Sequence, residues 1–284
     1  MLSVVLVHWN QPVRCLDALR AWAGQDVATR ITVVDNGSAP AALATLKEGL
    51  PDDAELVEAG ANLGFGPGAN VGLRRWLDRE DTEWVAVAPH DALPQPGCLR
   101  GLTDALAERP RAGLACADVG DGQTPFIDPY FGGITMPAAG DEPGWEPADY
   151  PHGTLLLARR ACLAEIGVFD ERYFAYCEEA DLGERARRAG WEVGIVRGAR
   201  VTNPYLAGGA DVVDYLMLRN TLLFVRLHFG RYKAAVRFVI ALWHLADGLA
   251  RPGRRPWIFA PAARVRALAD FVRGRFGAPP VRMS

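Results

Sequence analysis

No stretch of this chain is apolar over the roughly 20 positions a bilayer-spanning helix needs. The most hydrophobic segment, Val236 to Leu245, is short and has charge at both ends. Cysteine is sparse: Cys15, Cys98, Cys116, Cys162 and Cys177 include no C-x-x-C pair. An odd, scattered set fits neither a disulfide framework nor a zinc site and points to a reducing cytoplasm. An excess of one charge sign is also missing, with 31 basic against 34 acidic residues and a net charge of −3. That balance excludes a whole-molecule field of the kind that gathers nucleic acid. The first residues, Met1 to Val7, lack both the basic start and the apolar length of a signal peptide and read as a buried strand.

What is present is a regular alternation. Ser3 to Val7 is a β-branched run, followed by Val13, Leu16, Leu19 and Trp22 near helical spacing. Ile31 to Val34 repeats the strand signal and Ala41 to Leu50 the helical one. Glu55 to Glu58 is a weaker strand, Ala69 to Leu77 a helix, and Trp84 to Ala88 a fourth strand ending at Pro89-His90-Asp91. Such an order predicts an α/β fold with a mainly parallel central sheet flanked by helices. Ligands of such sheets bind beyond the strand C-termini, where Asn10, Asp35 and Asp91 all fall.

Further along, the chain predicts a helix over Gly97 to Arg109 and a strand at Leu114 to Cys116. Residues Gly120 to Pro151, rich in Gly, Pro and Asp, read as a long irregular connection or lid. A strand at Leu155 to Leu157, helices at Arg160 to Ile166 and Glu179 to Ala189, and two short strands at Val193 to Val196 and Ala199 to Thr202 follow. Beyond Asp211 the chain becomes helical and rich in arginine, with a last helix near Pro261 to Arg273.

Four segments carry chemistry. Asp35-Asn36-Gly37-Ser38 sets a carboxylate in a tight turn, either to receive a base or ribose or to close an Asx turn. Asn62 to Gly72 combines glycines, which let backbone approach a ligand, with the amides of Asn62 and Asn70 and a following helix N-terminus that suits phosphate. Within it, Gly64 to Ala69 satisfies the GxGxxA form of a dinucleotide fingerprint, but after the third strand and without a clear ribose-binding acid. Asp91 is an oxygen donor of the type that holds Mg2+ or Mn2+ on a diphosphate, or else a solvated turn residue. Gly167 to Leu182 gathers acids and aromatics before a helix. Its carboxylates serve either as first-turn charge or as a general base toward a hydroxyl.

Taken together, and in this order from about Ser3 to Asn203, these segments resemble glycosyltransferase family 2, and most of all its rhamnosyltransferase-like branch. Tyr215 and Arg219-Asn220 resemble the C-terminal region of that branch. The resemblance implies a type A glycosyltransferase fold, the nucleotide-diphospho-sugar transferase fold. It divides the chain into a catalytic domain over 1–208, with a nucleotide-binding half near 1–95 and an acceptor-side half near 96–208, and a helical C-terminal appendage over 209–284. It implies inverting transfer of a hexosyl or deoxyhexosyl group from a UDP-, dTDP- or GDP-sugar to an acceptor hydroxyl in glycan or secondary-metabolite biosynthesis. The alternative is a catalytically weak sugar-nucleotide-binding protein.

Residue by residue, Asn10, Asp35, Asn62, Gly64 and Asn70 match the nucleotide side. Asp91 matches the last acid of the metal element, with His90 a second candidate ligand. Glu179 stands where the family has its catalytic base, with Glu178 and Asp181 in support. Tyr150 and His152 fall where relatives line the acceptor cleft. Three departures stand out: His90 within the metal element, glutamate as the base, and Asn203 in place of a histidine. The expected cofactor is Mg2+ or Mn2+, and the acceptor is a glycan, a lipid-linked sugar or a small molecule. The expected location is cytoplasmic, with residues 211–249 offering either a homodimer contact or peripheral contact with the inner face of a membrane.

Overall fold

The computed structural model describes residues 1–79, 82–140, 142–203, 209–256 and 258–280. The expected domain boundary at 208/209 touches residues 204–208, which lie outside the described ones. The first half alternates as the sequence predicts: β1 (Leu2–His8), α1 (Pro12–Ala23), β2 (Thr29–Asp35), α2 (Pro40–Gly49), β3 (Glu55–Glu58), α3 (Phe65–Arg79) and β4 (Trp84–Pro89). Then come β5 (Leu93–Pro94), α4 (Cys98–Ala107), β6 (Ala112–Asp118), β7 (Gln123–Asp128), β8 (Gly132–Pro137), β9 (Gly144–Pro147) and β10 (Leu156–Arg159). The remainder is α5 (Arg160–Ile166), α6 (Glu178–Arg188), β11 (Glu192–Thr202), α7 (Ala210–Ala250) and α8 (Pro261–Val272).

The main sheet runs β3-β2-β1-β4-β10-β6-β11-β5, with β9 paired to β11. Neighbours are parallel from β3 to β4, and β6 is parallel to β11; β10 is antiparallel to both β4 and β6. Both faces are covered, and the residues of the central strands are mostly apolar. Along β1, Leu2, Val4 and Leu6 pack with Trp22, Leu46 and Leu99 on the side of α1, α2 and α4. Val5 and Val7 pack on the other face with Leu73, Trp76 and Leu182. Each such fully buried aliphatic side chain contributes on the order of 2 kcal/mol.

Two segments differ from expectation. Residues 120–151 are not an irregular lid, because β7 and β8 form an antiparallel hairpin and β9 joins the sheet. The two short strands expected after Trp191 are one strand, β11, irregular between Val196 and Arg200. Buried Arg197 lies in that irregularity and reaches Glu146 and Asp118, so a charged residue in mid-strand marks a bulge instead of an end.

A third cluster joins α7 and α8 to the loop before α6, through Tyr173, Tyr215, Leu222, Phe224 and Phe271. α7 is two helices meeting at Gly230, whose φ of 90° only glycine adopts easily. The half before the kink is buried from Asp214 to Val225, apart from Met217. No helix among the described residues is long and apolar enough to cross a membrane.

Candidate active site

The parallel strands deliver His8, Asp35 and Asp91 to one end of the sheet, and β11, parallel to β6, brings Asn203 there too. Asn203 Nδ2 donates to Asp91 Oδ1 at 3.1 Å, so two residues 112 positions apart meet at this end of the sheet. Because β10 runs antiparallel to β4, the turn before it opens on the same side, and Glu179 Oε1 lies 3.7 Å from where a Cβ on Gly153 would sit. The residues expected to act thus gather, from both halves of the sheet, at the strand C-termini.

On the nucleotide side the contacts are mostly internal. Asp35 is buried; its Oδ2 accepts the Ser38 N–H at 3.1 Å, which is the Asx-turn reading, while Oδ1 accepts from His8 at 3.0 Å. His8 Nε2 accepts the Gln11 N–H at 3.2 Å, which leaves the proton on Nδ1 to donate to Asp35. Burial lowers the His8 pKa against the pull of Asp35, so this contact is a hydrogen bond from a neutral ring. Asn10 sits in the left-handed region with φ 56°, and its Oδ1 accepts the Ala39 N–H at 2.7 Å.

Asn36, which the sequence shows only as part of a turn, holds the next loop: it donates to Gly64 O at 2.9 Å and accepts the Leu63 N–H at 3.0 Å. Asn62 Oδ1 accepts the Gly64 N–H, and a Cβ on Gly64 would run into the Phe174 carbonyl. Asn70, expected on the nucleotide side, is fully buried: it accepts the Phe169 N–H at 3.0 Å and donates to Phe169 O at 2.9 Å, so its amide ties α3 to the segment before α6. The GxGxxA match is likewise structural: Asn36 and Val7 press on Gly68 and Glu178 on Gly66, where a dinucleotide turn would need open space.

Asp91 and His90 are the residues expected to hold a metal. His90 Nδ1 donates to Val7 O at 3.1 Å, which leaves the Nε2 lone pair buried and without a partner among the described residues. Burial lowers the His90 pKa, so the ring is neutral and ligand-capable. Among the described residues no group of three or more His, Cys, Asp or Glu side chains gathers to form a metal cage. One carboxylate beside one orphaned imidazole nitrogen instead fits a cation that takes most of its oxygen ligands from a bound diphosphate.

Glu178 and Glu179 open α6, following Phe174, Tyr176 and Cys177, all with φ near 70°. Burial pushes the Glu178 carboxyl well above the glutamate range, and the neighbouring Glu179 charge adds to this. Burial also raises Glu179, while the hydrogen bond from Glu178 holds it down. The pair therefore shares a proton that resides on Glu178, and Glu179 is the member that ionises first. The Oε2 of each is buried without a partner among the described residues. Asp181 is held ionised against burial by His228 at 2.7 Å and Arg185 at 2.8 Å. The helix bearing the acids is thus tied to α7, a link no sequence pattern signals.

Tyr150, expected at the acceptor cleft, is buried: its hydroxyl donates to Ile134 O at 2.9 Å and its ring packs against Gly133. The His152 Nδ1 accepts the Thr154 N–H at 3.2 Å, and burial lowers its pKa. Because Glu178 is raised, its folding contribution is present below about 4.5 and is lost as pH rises through the folded-state value. Glu178→Gln should therefore match the wild-type melting temperature near pH 4.5 and exceed it at about pH 8; equal melting at both pH values would refute the buried proton.

No protein-family model matches the chain. It is 28% identical over 247 residues to the N-acetylglucosaminyl-diphospho-decaprenol L-rhamnosyltransferase of Mycobacterium tuberculosis, covering 74% of this chain and 79% of that one. It is 26% identical over 202 residues to the low-salt glycan biosynthesis hexosyltransferase Agl10 of Haloferax volcanii, covering 68% and 64%. Among solved structures, the mannosyltransferase PcManGT from Pyrobaculum calidifontis, in complex with GDP-Man and Mn2+, superposes with a TM-score of 0.59 at 16% identity, over 96% of this chain and 87% of that one. The fold is the type A glycosyltransferase fold, and the motif resemblance is matched by a rhamnosyltransferase relative.

Proposed function

We propose that this chain is an inverting glycosyltransferase that moves a hexosyl or deoxyhexosyl group from a nucleoside diphosphate sugar to an acceptor hydroxyl. The observation that carries the reading is the carboxyl pair at the start of α6, with Glu179 ready to ionise, on the sheet end that also bears Asp91. Glu179 takes the proton of the acceptor hydroxyl as its oxygen bonds to the anomeric carbon. The bond from that carbon to the diphosphate breaks, and the nucleoside diphosphate leaves with the electron pair. Asp91, with His90 Nε2 beside it, would hold Mg2+ or Mn2+, which when bound neutralises charge on the diphosphate. The location proposed is the cytoplasm, and the Mycobacterium relative supports a lipid-linked sugar as the acceptor class.

Melting curves with UDP, dTDP or GDP, with and without Mn2+, test the donor site. A nucleotide at one hundred times its Kd adds about 2.7 kcal/mol, a shift of several degrees. Wild type should show that shift with its own nucleotide, larger when Mn2+ is added, and Asp91→Ala should lose the metal-dependent part. An undiminished Mn2+ response in Asp91→Ala would remove Asp91 from the metal site. Release of free sugar from the donor would separate the transferase from a binding protein of the same fold.

A further inference from the structure

The half of α7 beyond Gly230 presents a continuous apolar face to solvent. Tyr232, Val239 and Trp243 are 75%, 63% and 61% exposed, and Leu242 and Leu249 are exposed beside them. At 3.6 residues per turn these five lie within an arc of roughly 120°, and the intervening exposed positions on that arc, Ala235 and Ala246, are apolar too. The opposite face, with Ala234, Ala241 and Leu245, packs on the protein. A surface helix ordinarily turns its apolar side inward, whereas this one is apolar on both sides. The expectation of contact through 211–249 is thereby narrowed, because the half before Gly230 is largely buried against the α6 loop.

Charge decides among occupants. Residues 231–256 hold six Lys and Arg against a single acid, Asp247, and Arg251 already pairs with that acid at 2.9 Å. Arg231 stands at one end of the stripe and Arg254 and Arg255 beyond the other, all exposed. A second copy of the chain would bring these like charges against one another across the seam, whereas a surface of anionic headgroups would neutralise them. Trp and Tyr on the stripe are the residues that settle at a headgroup boundary, each with an apolar body and a polar tip. We propose that this half of α7 lies in the plane of an anionic lipid surface, with Tyr232, Val239, Leu242, Trp243 and Leu249 inserted among the acyl chains and Arg231, Arg254 and Arg255 on the headgroups.

This proposal stands apart from the transfer chemistry and needs no sugar nucleotide to test it. The full chain is mixed with phosphatidylcholine vesicles containing or lacking phosphatidylglycerol and centrifuged, and its oligomeric state is measured by light scattering without lipid. Wild type should sediment with the anionic vesicles, less so as salt rises, and remain monomeric alone. Leu242→Glu with Trp243→Glu should weaken vesicle binding at least about tenfold, and Arg254→Glu with Arg255→Glu should remove the preference for phosphatidylglycerol. All four positions are exposed, so unchanged melting checks that the variants fold. Failure of wild type to bind either vesicle, or a dimer that Leu242→Glu and Trp243→Glu dissolve while lipid binding is absent, overturns the proposal.

Discussion

Replacing Glu179 by glutamine is expected to lower kcat for sugar transfer by about a thousandfold, within the range for loss of a general base, while the nucleotide dissociation constant stays at the wild-type value. Glutamine matches the volume of the carboxyl it replaces and keeps a hydrogen-bonding group toward Glu178, so the α6 N-terminus is preserved. What disappears is the acceptor of the substrate proton. The acid limb of the wild-type rate should lie above the ordinary glutamate value, since burial raises Glu179 and the base acts only when ionised. Measured by isothermal titration beside single-turnover kinetics, a variant that turns over normally would remove Glu179 from the reaction, and one that loses nucleotide affinity would make it a structural residue.

The second large effect is expected at Asn220, which touches no proposed substrate. Its Nδ2 reaches the carbonyl oxygens of Tyr173, Ala175 and Tyr176 at 2.8, 2.8 and 2.9 Å, and neighbouring Arg219 reaches Tyr173 O at 3.4 Å and Gly277 O at 2.8 Å. The carbonyls of Tyr173, Ala175 and Tyr176 belong to the loop whose three left-handed residues lead into Glu178. Side chains of that size prefer other backbone angles, at a cost of about 1–2 kcal/mol each, and Asn220 keeps the loop in place. Asn220→Ala should lower stability by about 2–3 kcal/mol, the cost of buried carbonyls left unsatisfied. It should also lower kcat by about a hundredfold through displacement of the base, with the KM for the nucleotide sugar unchanged. A KM change without a kcat change would place Asn220 in binding instead of positioning.

How legible these features are from sequence depends on the range of the interactions. β1, β2 and β4 are readable because each is a largely apolar run, buried on both faces. α3 begins at Phe65, earlier than its hydrophobic pattern, because Gly66, Pro67 and Gly68 discourage a helix locally while close packing on Val7, Asn36 and Phe169 demands small residues there. The hairpin of β7 and β8 is hidden by its glycines and prolines. Asp35, Asp91 and Glu179 could be singled out from motifs because each stands at a strand or helix end. The roles of Asn36, Asn70, His228 and Asn220 could not, because each depends on partners 26 to 99 positions away. An amide in a glycine-rich loop looks the same in sequence whether it faces a ligand or a carbonyl.

The bond from Arg219 to Gly277, together with the Gly277 N–H to Arg172 O at 2.8 Å, also governs when the site can come into being. During synthesis the chain emerges from its N-terminus and folds as units while elongation continues. The sheet and its loops are complete before residue 277 leaves the ribosome, but the loop before Glu178 still lacks the Gly277 contacts to Arg219 and Arg172. Under the proposed function, a nascent chain is expected to bind a nucleotide sugar before its base is fully fixed.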